Sequence, residues 1–470
     1  MTEDTICAIA TAPGGALGII RVSGPESLSI VDKVFVPVHG ARIPERKPSS
    51  LVFGAIRTST GEVLDEAVVS VYRAPHSYTG EDSVEISVHG SSYIMQQVIQ
   101  LLVRNGCRTA RPGEYTQRAF LNGKMDLSQA EAVADLIASR SAATHRLAMN
   151  QMRGGFSKEL RALRDRLLHF TSLVELELDF SDHEELEFAN RDELHQLADE
   201  IEHVISRLTD SFSTGNALKN GVPVAIIGET NAGKSTLLNA LLHEDKAIVS
   251  DIQGTTRDAI EDTISVEGIT FRFIDTAGIR HTEDTIENLG IERTFQKMDQ
   301  ASMILWMIDA SSPQEKFREI TEKILSHCDG KKLLILFNKS DLITEAKAQE
   351  LLQWMDAQKQ HQDRKDWQHL FISAKQNLSL DELEHWLVKS AALPEVSQDD
   401  IIVTNARHYE ALLHALDAIR RVQQGLDNEL PGDLMAQDLR ECIFYLQDIV
   451  GEVSSQQVLN NIFEHFCIGK

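Results

Sequence analysis

One eight-residue stretch constrains the fold of this 470-residue chain more than any other. Residues 228–235 read GETNAGKS, which has the spacing G-x-x-x-x-G-K-S, and they follow the apolar run VAIIG and precede the helical run STLLNALL. A glycine-rich loop between a strand and a helix presents backbone N–H groups to phosphate at the helix N-terminus. Lys234 can neutralise the β and γ phosphate oxygens, and the Ser235 hydroxyl can bind Mg²⁺. The stretch therefore predicts a nucleotide site on an α/β sheet.

Three later motifs follow apolar strands, and together they predict which base is bound. Asp275-Thr276-Ala277-Gly278 can hold the metal through water and sense the γ-phosphate. In Asn338-Lys339-Ser340-Asp341 the carboxylate can accept both the N1–H and the exocyclic amine of guanine, whereas adenine leaves it unpaired at a cost. Ser373-Ala374-Lys375 fits the last guanine-contacting loop. The motifs predict a GTPase.

A fifth segment, Gly254-Thr255-Thr256-Arg257-Asp258, fits the mobile loop whose threonine completes the Mg²⁺ shell. The predicted GTP-binding residues come from these segments and their immediate neighbours. They are Asn231, Ala232, Gly233, Lys234, Ser235, Thr236, Ser250, Asp251, Ile252, Gln253, Gly254, Thr255, Thr256, Asp275, Thr276, Ala277, Gly278, Asn338, Lys339, Asp341, Ser373, Ala374 and Lys375.

Hydrolysis requires a group that orients the attacking water and a positive charge near the phosphates. In Ras-type switches a glutamine follows the D-x-x-G motif, but Ile279 occupies that position here. An apolar side chain cannot position water. We therefore look for the substitute among the carboxylates of the following segment, IRHTEDTIENLGIER.

The pattern of the chain changes three times. Short β-like runs fill the first 118 residues, and helical periods begin near 119 with a predicted capping box at Ser128–Glu131. Strands alternate with helices from about 221 to 390, and helical periods return after 395. The fold class is therefore multidomain, with an N-terminal α+β domain, an all-α domain and an inserted α/β P-loop GTPase domain. The predicted boundaries are 1–118, 119–218, 219–392 and 393–470.

Apolar residues at alternating spacings of three and four predict the buried faces of the helices. The predicted core-facing sets are Leu160, Leu163, Leu167, Phe170 and Val174; Leu194, Leu197, Ile201, Val204 and Leu208; Tyr409, Leu412, Leu416 and Ile419; and Leu439, Ile443, Leu446 and Val450.

Composition places the chain among globular cytoplasmic proteins. No run approaches the about 18 to 20 apolar residues of a membrane span, and the N-terminus carries acids where a signal peptide is basic. Five scattered cysteines indicate neither a disulfide framework nor a zinc site, so we expect most to be buried. The formal net charge of −25 argues against broad contact with nucleic acid and favours a local patch or a partner protein.

The order of these motifs resembles the MnmE (TrmE) family of tRNA modification GTPases, within the TrmE-Era-EngA-like GTPases. The resemblance covers the whole chain and includes YTGEDSVEISVHG, RPGEYTQRAFLNGKMDLSQAEAVADLI and the terminal CIGK. It implies an N-terminal folate-binding domain that forms a homodimer, and G domains that pair during hydrolysis. It also implies a partner, the FAD protein MnmG, with which the family adds a carboxymethylaminomethyl or aminomethyl group to the wobble uridine of certain tRNAs.

The resemblance also implies the metal ligands and the catalytic residue. K⁺ would be coordinated by Asn231, Ser250, Ile252 and Thr255, and it would supply the cation that an arginine finger supplies elsewhere. Ser235 and Thr256 would hold Mg²⁺. Glu287 would orient the attacking water, with a solvated charge on a helix face as the alternative.

For the folate site, the resemblance implies Arg21, Glu85, Lys124 and Lys470 as contacts of 5-formyltetrahydrofolate or a related tetrahydrofolate. Cationic side chains suit glutamyl carboxylates, and a carboxylate suits the adjacent N–H donors of the pterin. Without the resemblance, Arg21, Glu85 and Lys124 are surface charges. The sequence departs from the family pattern at Thr230, where proline is usual, and at Gly14–Leu17, where G-R-G-G is common.

The tail Cys467-Ile468-Gly469-Lys470 is either frayed or anchored by the preceding apolar helix, which contains Val458, Leu459, Ile462, Phe463 and Phe466. The family context favours an anchored tail whose Gly469 permits a close backbone approach. We assign Cys467 to the candidate catalytic residues, as a nucleophile or an acid–base group, with a packed small side chain as the alternative.

Two other functions remain open from the sequence. The first is a regulatory switch of the ribosome-assembly type with no role in group transfer, and the second is a scaffold with a degenerate nucleotide site. The filled ligand positions argue against the scaffold. The acidic segment 175–188 would repel RNA and is expected to be a solvated helix end and linker, so tRNA would be contacted largely through the complex with MnmG.

Overall fold

A computed structural model describes residues 4–139, 141–179, 191–245, 262–274, 295–313, 321, 323–361, 367–393, 397, 400–428, 430, 432–464, 466 and 468–469. They fall into two compact units, and each is described by itself. The first unit consists of Met1–Ala138, Leu147–Thr209 and Arg407–Lys470, and the second of Ser139–Arg146 and Asp210–Ala406.

The first unit begins with a seven-stranded sheet in the order β3-β4-β5-β6-β2-β1-β7. Its strands are β1 Ile6–Ile9, β2 Leu17–Ser23, β3 Phe35–Pro37, β4 Ser50–Arg57, β5 Val63–Tyr72, β6 Ser83–His89 and β7 Arg108–Thr109. All neighbours are antiparallel except β1 and β7. Helices α1, Ser27–Val34, and α2, Ser92–Arg104, share one buried cluster with alternate residues of the strands, including Ile20, Val84 and Ile86.

The remaining helices of the first unit bury apolar side chains along their length. They are α3 Glu114–Leu121, α4 Leu127–Ala138, α6 Gly155–Asp179, α11 Ala406–Asp427, α12 Gly432–Val450 and α13 Gln456–Glu464, while α5 Ala142–Met152 and α7 Arg191–Asn220 run through both units. Helix α12 packs along α6, so helices from before and after most of the second unit in the sequence lie side by side. Of the helices that the structure describes, none is long and apolar enough to cross a membrane.

The predicted stripes of α6 and α12 are buried, and the stripe of α7 differs in part. On α7 the fully buried residues are Leu194, Ala198, Ile201, Ile205 and Leu208. Leu197 and Val204 are only half-buried, because a spacing of 3.6 residues over this long helix brings Ala198 and Ile205 to the centre of the face.

The predicted capping box at Ser128–Glu131 is wrong by two residues. Helix α4 begins at Leu127, the Asp126 carboxylate accepts the Gln129 N–H at 3.0 Å, and the Gln129 side chain accepts the Asp126 N–H at 3.0 Å. Aspartate and glutamine thus form the reciprocal pair. The Ser128 hydroxyl instead donates to Asp126, and Glu131 pairs with residues far along the chain.

The second unit has a six-stranded sheet in the order β13-β12-β11-β8-β10-β9. Its elements are β8 Val222–Gly228, α8 Lys234–Asp245, β9 Asp262–Val266, β10 Ile269–Phe273, β11 Met303–Asp309, β12 Lys332–Asn338, a 3₁₀ helix Ser340–Leu342, α9 Glu345–His361, β13 Gln368–Phe371 and α10 Leu380–Ala391. All neighbours are parallel except β9 and β10. Buried apolar clusters cover both faces, as a parallel sheet requires.

The cysteines that the structure describes are buried and unbridged, which confirms that most behave as core residues. They are Cys7, Cys107, Cys328 and Cys442.

A buried charge cluster joins α4 to the first turn of α11. The Glu131 carboxylate accepts Arg407 Nε and Nη2 at 3.0 Å each and pairs with His408 Nε2 at 2.6 Å. Arg407 also donates to the carbonyls of Asp448 and Ile449 at the end of α12. Burial raises the pKa of Glu131, but the charges and hydrogen bonds of His408 and Arg407 outweigh it and lower the pKa to about 2.

We expect Glu131→Gln to lower the free energy of unfolding by about 3 to 5 kcal/mol at pH 7, because it removes the buried carboxylate that Arg407 and His408 share. The folded-state pKa of Glu131 lies below the ordinary 4.5, so its contribution is present above that pH and is lost as the pH falls toward 2. Urea unfolding at several pH values measures the difference between wild type and variant, which should shrink over this range.

Glu410→Gln is the control, since Glu410 is an exposed carboxylate on the helix that carries Arg407. It should change stability by less than about 0.5 kcal/mol. A difference for Glu131→Gln that stays constant from pH 5 to 2 would contradict the assignment.

Candidate functional site

The loop between β8 and α8 has a backbone that favours glycine. Gly228, Asn231 and Gly233 have φ values of +146°, +66° and +104°. Asparagine tolerates this region better than most residues, but the values at the two glycines are hostile to any side chain.

Close packing adds a second reason for the two glycines. A Cβ atom at Gly228 would lie 2.2 Å from the carbonyl oxygen of Met307, and one at Gly233 would lie 2.2 Å from Asn338 Nδ2. The sequence G-x-x-x-x-G therefore follows from the shape of the loop as well as from its need to approach a phosphate chain.

Lys234 begins α8 and curls back over the loop. Its Nζ donates to the carbonyl oxygens of Gly228 and Glu229, both at 2.6 Å. Burial lowers the pKa of Lys234, and the nearby positive charge of Lys297 lowers it further. A bound polyphosphate would supply the missing negative charge at the helix N-terminus, which makes this loop a suitable phosphate site.

Asn338 joins three loops at the carboxyl edge of the sheet. Its buried side chain donates from Nδ2 to the carbonyl oxygen of Ala232 at 2.7 Å and accepts the N–H of Ala374 at 3.0 Å. The phosphate loop, the turn after β12 and the turn after β13 are thus fixed to one another.

The predicted base-binding residues lie around Asn338. Asp341 is exposed, and one of its carboxylate oxygens accepts Gln376 Nε2 at 3.2 Å. Ser373 and Ala374 are buried, Lys375 is exposed, and the backbone of Ser373 closes a tight turn with Gln376 and Leu378. An exposed carboxylate in this turn can accept paired N–H donors of a base.

Several predicted residues lie outside the described residues. They are Ser250, Asp251, Ile252, Gln253, Gly254, Thr255, Thr256, Asp275, Thr276, Ala277, Gly278, Glu287, Cys467 and Lys470. Ser235 and Thr236 are described and lie in the first turn of α8.

A second constellation lies in the N-terminal domain. Arg21 on β2 and Glu85 on β6 are opposite each other in the sheet, and Arg21 donates from Nε and Nη2 to Glu85 Oε1 at 3.0 and 2.9 Å. The guanidinium lies 5.3 Å from the ring centre of Tyr78 and 5.5 Å from that of Tyr115. The quadrupoles of both rings attract the cation.

The C-terminal tail reaches this constellation. Arg21 Nη1 donates to the carbonyl oxygen of Gly469 at 3.4 Å. Gly469 has φ +93°, and a Cβ there would lie 2.4 Å from the carbonyl oxygen of Ile9. The backbone of Gly469 thus lies close to that of Ile9. Lys124, the remaining described member of the predicted folate set, donates to the carbonyl oxygen of Pro75.

Sequence reasoning missed a buried network of charged side chains in the same domain. Arg118 is fully buried and donates to Asp4, Glu81 and Glu114, which ties the loop before β6 to α3. Tyr78 was also missed. The segments YTGED and GEYTQR contain these residues, but only tertiary structure brings them together.

The phosphate loop and the turns after β12 and β13, all at the carboxyl edge of a mostly parallel sheet, define the class of this protein as a P-loop GTPase. Residues 5–124 match the family described as GTP-binding protein TrmE N-terminus, and residues 127–467 match the family described as MnmE helical domain.

Curated relatives are similar over their whole length. A protein of Bacteroides thetaiotaomicron named tRNA modification GTPase MnmE is 65% identical over 100% of both chains. One of Christiangramia forsetii with the same name is 50% identical over 100% of this chain and 99% of its own. This chain belongs to the MnmE family of tRNA modification GTPases.

Two solved structures resemble part of the chain. Era in complex with MgGDPNP and a segment of 16S ribosomal RNA is 30% identical, covering 42% of this chain and 66% of its own, with a TM-score of 0.27. The FeoB G-domain from Methanococcus jannaschii is 22% identical, covering 36% of this chain and 97% of its own, with a TM-score of 0.25.

We expect Gly233→Ala to weaken GTP binding by more than about 100-fold, because the new methyl group collides with Asn338 and the backbone conformation is hostile to alanine. Titration with a fluorescent GTP analogue measures the loss. Gly268→Ala is the matched control, since Gly268 also has a positive φ, +79°, but a Cβ there meets nothing within 4 Å. Equal affinities for the two variants would contradict a steric role for Gly233.

Proposed function

We propose that this chain is a K⁺-dependent GTPase of the cytoplasm that works with MnmG to modify tRNA. The pair would add a carboxymethylaminomethyl or aminomethyl group to C5 of the wobble uridine, using the one-carbon unit of a tetrahydrofolate. The main support is that a phosphate loop with two glycines that leave no room for a side chain, and an Arg21–Glu85 pair beside two tyrosine rings, occur in one chain of a tRNA modification GTPase family.

For the nucleotide, we assign the phosphates to the loop ending in Lys234 and the base to Asp341. Lys234 has backbone carbonyls as partners within the described residues, and phosphate oxygens are stronger acceptors for an ammonium group. The donor set also suits Mg²⁺, because Ser235 stands in the first turn of α8, with Thr256 as the second protein ligand. Asn338 keeps the phosphate and base loops in register.

For K⁺, we assign Asn231 together with Ser250, Ile252 and Thr255. Asn231 is exposed in the phosphate loop and has a left-handed backbone. Amide and carbonyl oxygens suit a monovalent cation, which would supply positive charge beside the phosphates. Glu287 would orient the attacking water.

We expect GTP hydrolysis to be at least about tenfold faster in K⁺ than in Na⁺, and Asn231→Ala to remove most of that difference. Phosphate release measured in each salt at equal ionic strength tests this. Asn377→Ala is the matched control, because Asn377 is an exposed asparagine of the same unit with a similar φ of +54°. Equal rates of the wild-type protein in both salts would refute the K⁺ assignment.

For the folate, we assign the pocket around Arg21, with Glu85, Lys124 and Lys470. Glu85 Oε2 receives no hydrogen bond from the part of the chain that the structure describes, so it can accept N–H donors of a pterin. Tyr78 is half-buried and offers a flat ring near Arg21, whereas Tyr115 is fully buried. Burial raises the pKa of both hydroxyls, so both tyrosines stay neutral, and Tyr78 can stack on a planar ligand.

We expect 5-formyltetrahydrofolate to raise the melting temperature of the wild-type protein, since it binds the native state alone. At about 100 times Kd the gain is about 2.7 kcal/mol. Arg21→Ala should abolish the shift, whereas Arg57→Ala, on the same sheet, should retain it. A full shift in Arg21→Ala would place the ligand elsewhere.

The second candidate is a regulatory switch without group transfer, which the same G domain could serve. The folate shift discriminates between the two when it is combined with mass spectrometry of tRNA nucleosides from cells that carry wild type or Arg21→Ala. Unmodified wobble uridine in the variant supports group transfer. No folate shift in wild type, together with normal uridine modification in cells lacking the gene, would favour the switch.

For partners, we propose a homodimer through the N-terminal domains and contact with tRNA largely through MnmG. The sheet face opposite α1 and α2 carries exposed Leu51, Phe53 and Val68, which a second copy could cover. The net charge of −25 disfavours broad contact of this chain alone with RNA.

A further inference from the structure

Asp309 ends β11 beside the predicted base-binding turn, although no sequence motif of the site includes it. It is opposite Asn338 in the parallel register of β11 and β12, and the next residue, Ala310, donates its N–H to the Asn338 carbonyl at 2.9 Å. The carboxylate therefore lies at the strand edge from which the Asn338–Asp341 turn begins.

Every hydrogen bond that the structure gives the Asp309 carboxylate fixes it in place. Oδ1 accepts the N–H and the hydroxyl of Ser311 at 2.9 and 2.6 Å, which forms a local turn. Oδ2 accepts Lys339 Nζ at 2.6 Å. Burial raises the pKa of Asp309, but the hydrogen bonds from Lys339 and Ser311 outweigh it and leave the pKa below its ordinary value.

Lys339 has a left-handed backbone conformation that needs support from its surroundings. Lys339 is a non-glycine residue with φ +62°. It follows the buried Asn338 and precedes Ser340, whose N–H donates to the Ile372 carbonyl at 3.1 Å. A left-handed residue of this kind persists only where its surroundings determine it. The charge-assisted hydrogen bond to Asp309 holds the Lys339 side chain and so helps to keep this backbone conformation.

We propose that Asp309 is a positioning residue for guanine recognition, which acts through Lys339 and makes no contact with the nucleotide. By holding the Lys339 side chain, it fixes the turn that presents Asp341 to the base. The inference rests on the proposed use of this turn for guanine. The end of β11 would thus contribute to the specificity for guanine, separately from the phosphate loop.

The test is a double-mutant cycle of Asp309→Asn and Lys339→Met, read as the affinity for GDP. Each single variant should bind GDP about threefold to tenfold more weakly, and the double variant should be no weaker than the weaker single one, because both remove the same bond. Asp309→Glu should recover part of the affinity. Fully additive losses, or wild-type affinity in Asp309→Asn, would overturn the proposal.

A second readout separates positioning from general stability. Inosine diphosphate lacks the exocyclic amine of guanine, so the ratio of GDP to inosine diphosphate affinity reports how well Asp341 is placed. This affinity ratio should decrease in Asp309→Asn. In hydrolysis assays the variant should have a higher KM for GTP and an unchanged kcat. An unchanged ratio with a lowered melting temperature would make Asp309 merely structural and overturn the proposal.

Two controls keep the outcomes distinct. Asp381→Asn removes an exposed aspartate at the start of α10, in the same unit, and should leave the affinity ratio unchanged. Lys234→Ala tests the phosphate site itself. If Lys234→Ala left GDP binding intact, the proposed nucleotide site would be wrong, whereas loss of binding there with no effect of Asp309→Asn would refute the positioning role alone.

Discussion

The nucleotide site depends on the side chain of one buried residue, Asn338. Its amide donates to the phosphate loop and its oxygen accepts from the turn after β13, so segments more than 100 residues apart along the chain share one pair of hydrogen bonds. A buried amide that loses either partner carries the full cost of desolvation. The three loops are therefore stable together in one arrangement, and Gly233 is required because Asn338 occupies the space that a side chain would need.

The features predicted correctly from the sequence are those that local chemistry determines. The G-x-x-x-x-G-K-S loop, the strand ends and the stripes on α6 and α12 depend on residues close in sequence or on a regular period, which a reader can recognise without a structure. The α4 capping box was misplaced because Asp126 and Ser128 are both good cap residues. Only the hydrogen bonds decide between them.

The features that were missed are tertiary. Tyr78 and Tyr115 form the walls around Arg21 because a loop and a helix converge on β2, and no spacing in the sequence encodes that convergence. Asp309 looks like the polar end of an ordinary strand until its contact with Lys339 is seen. Buried Arg118, whose charge alone suggests a surface position, links Asp4, Glu81 and Glu114 for the same reason.

The contact between Arg21 and the carbonyl of Gly469 joins the second strand of the sheet to a residue 448 positions further along the chain. During synthesis the N-terminal sheet can form early, as domains generally do, but this contact must wait until Gly469 has emerged from the ribosome. A chain that stops before Gly469 lacks the contact, however well its sheet and nucleotide loop have folded. Part of the surroundings of Arg21 is thus assembled only after both units have been synthesised.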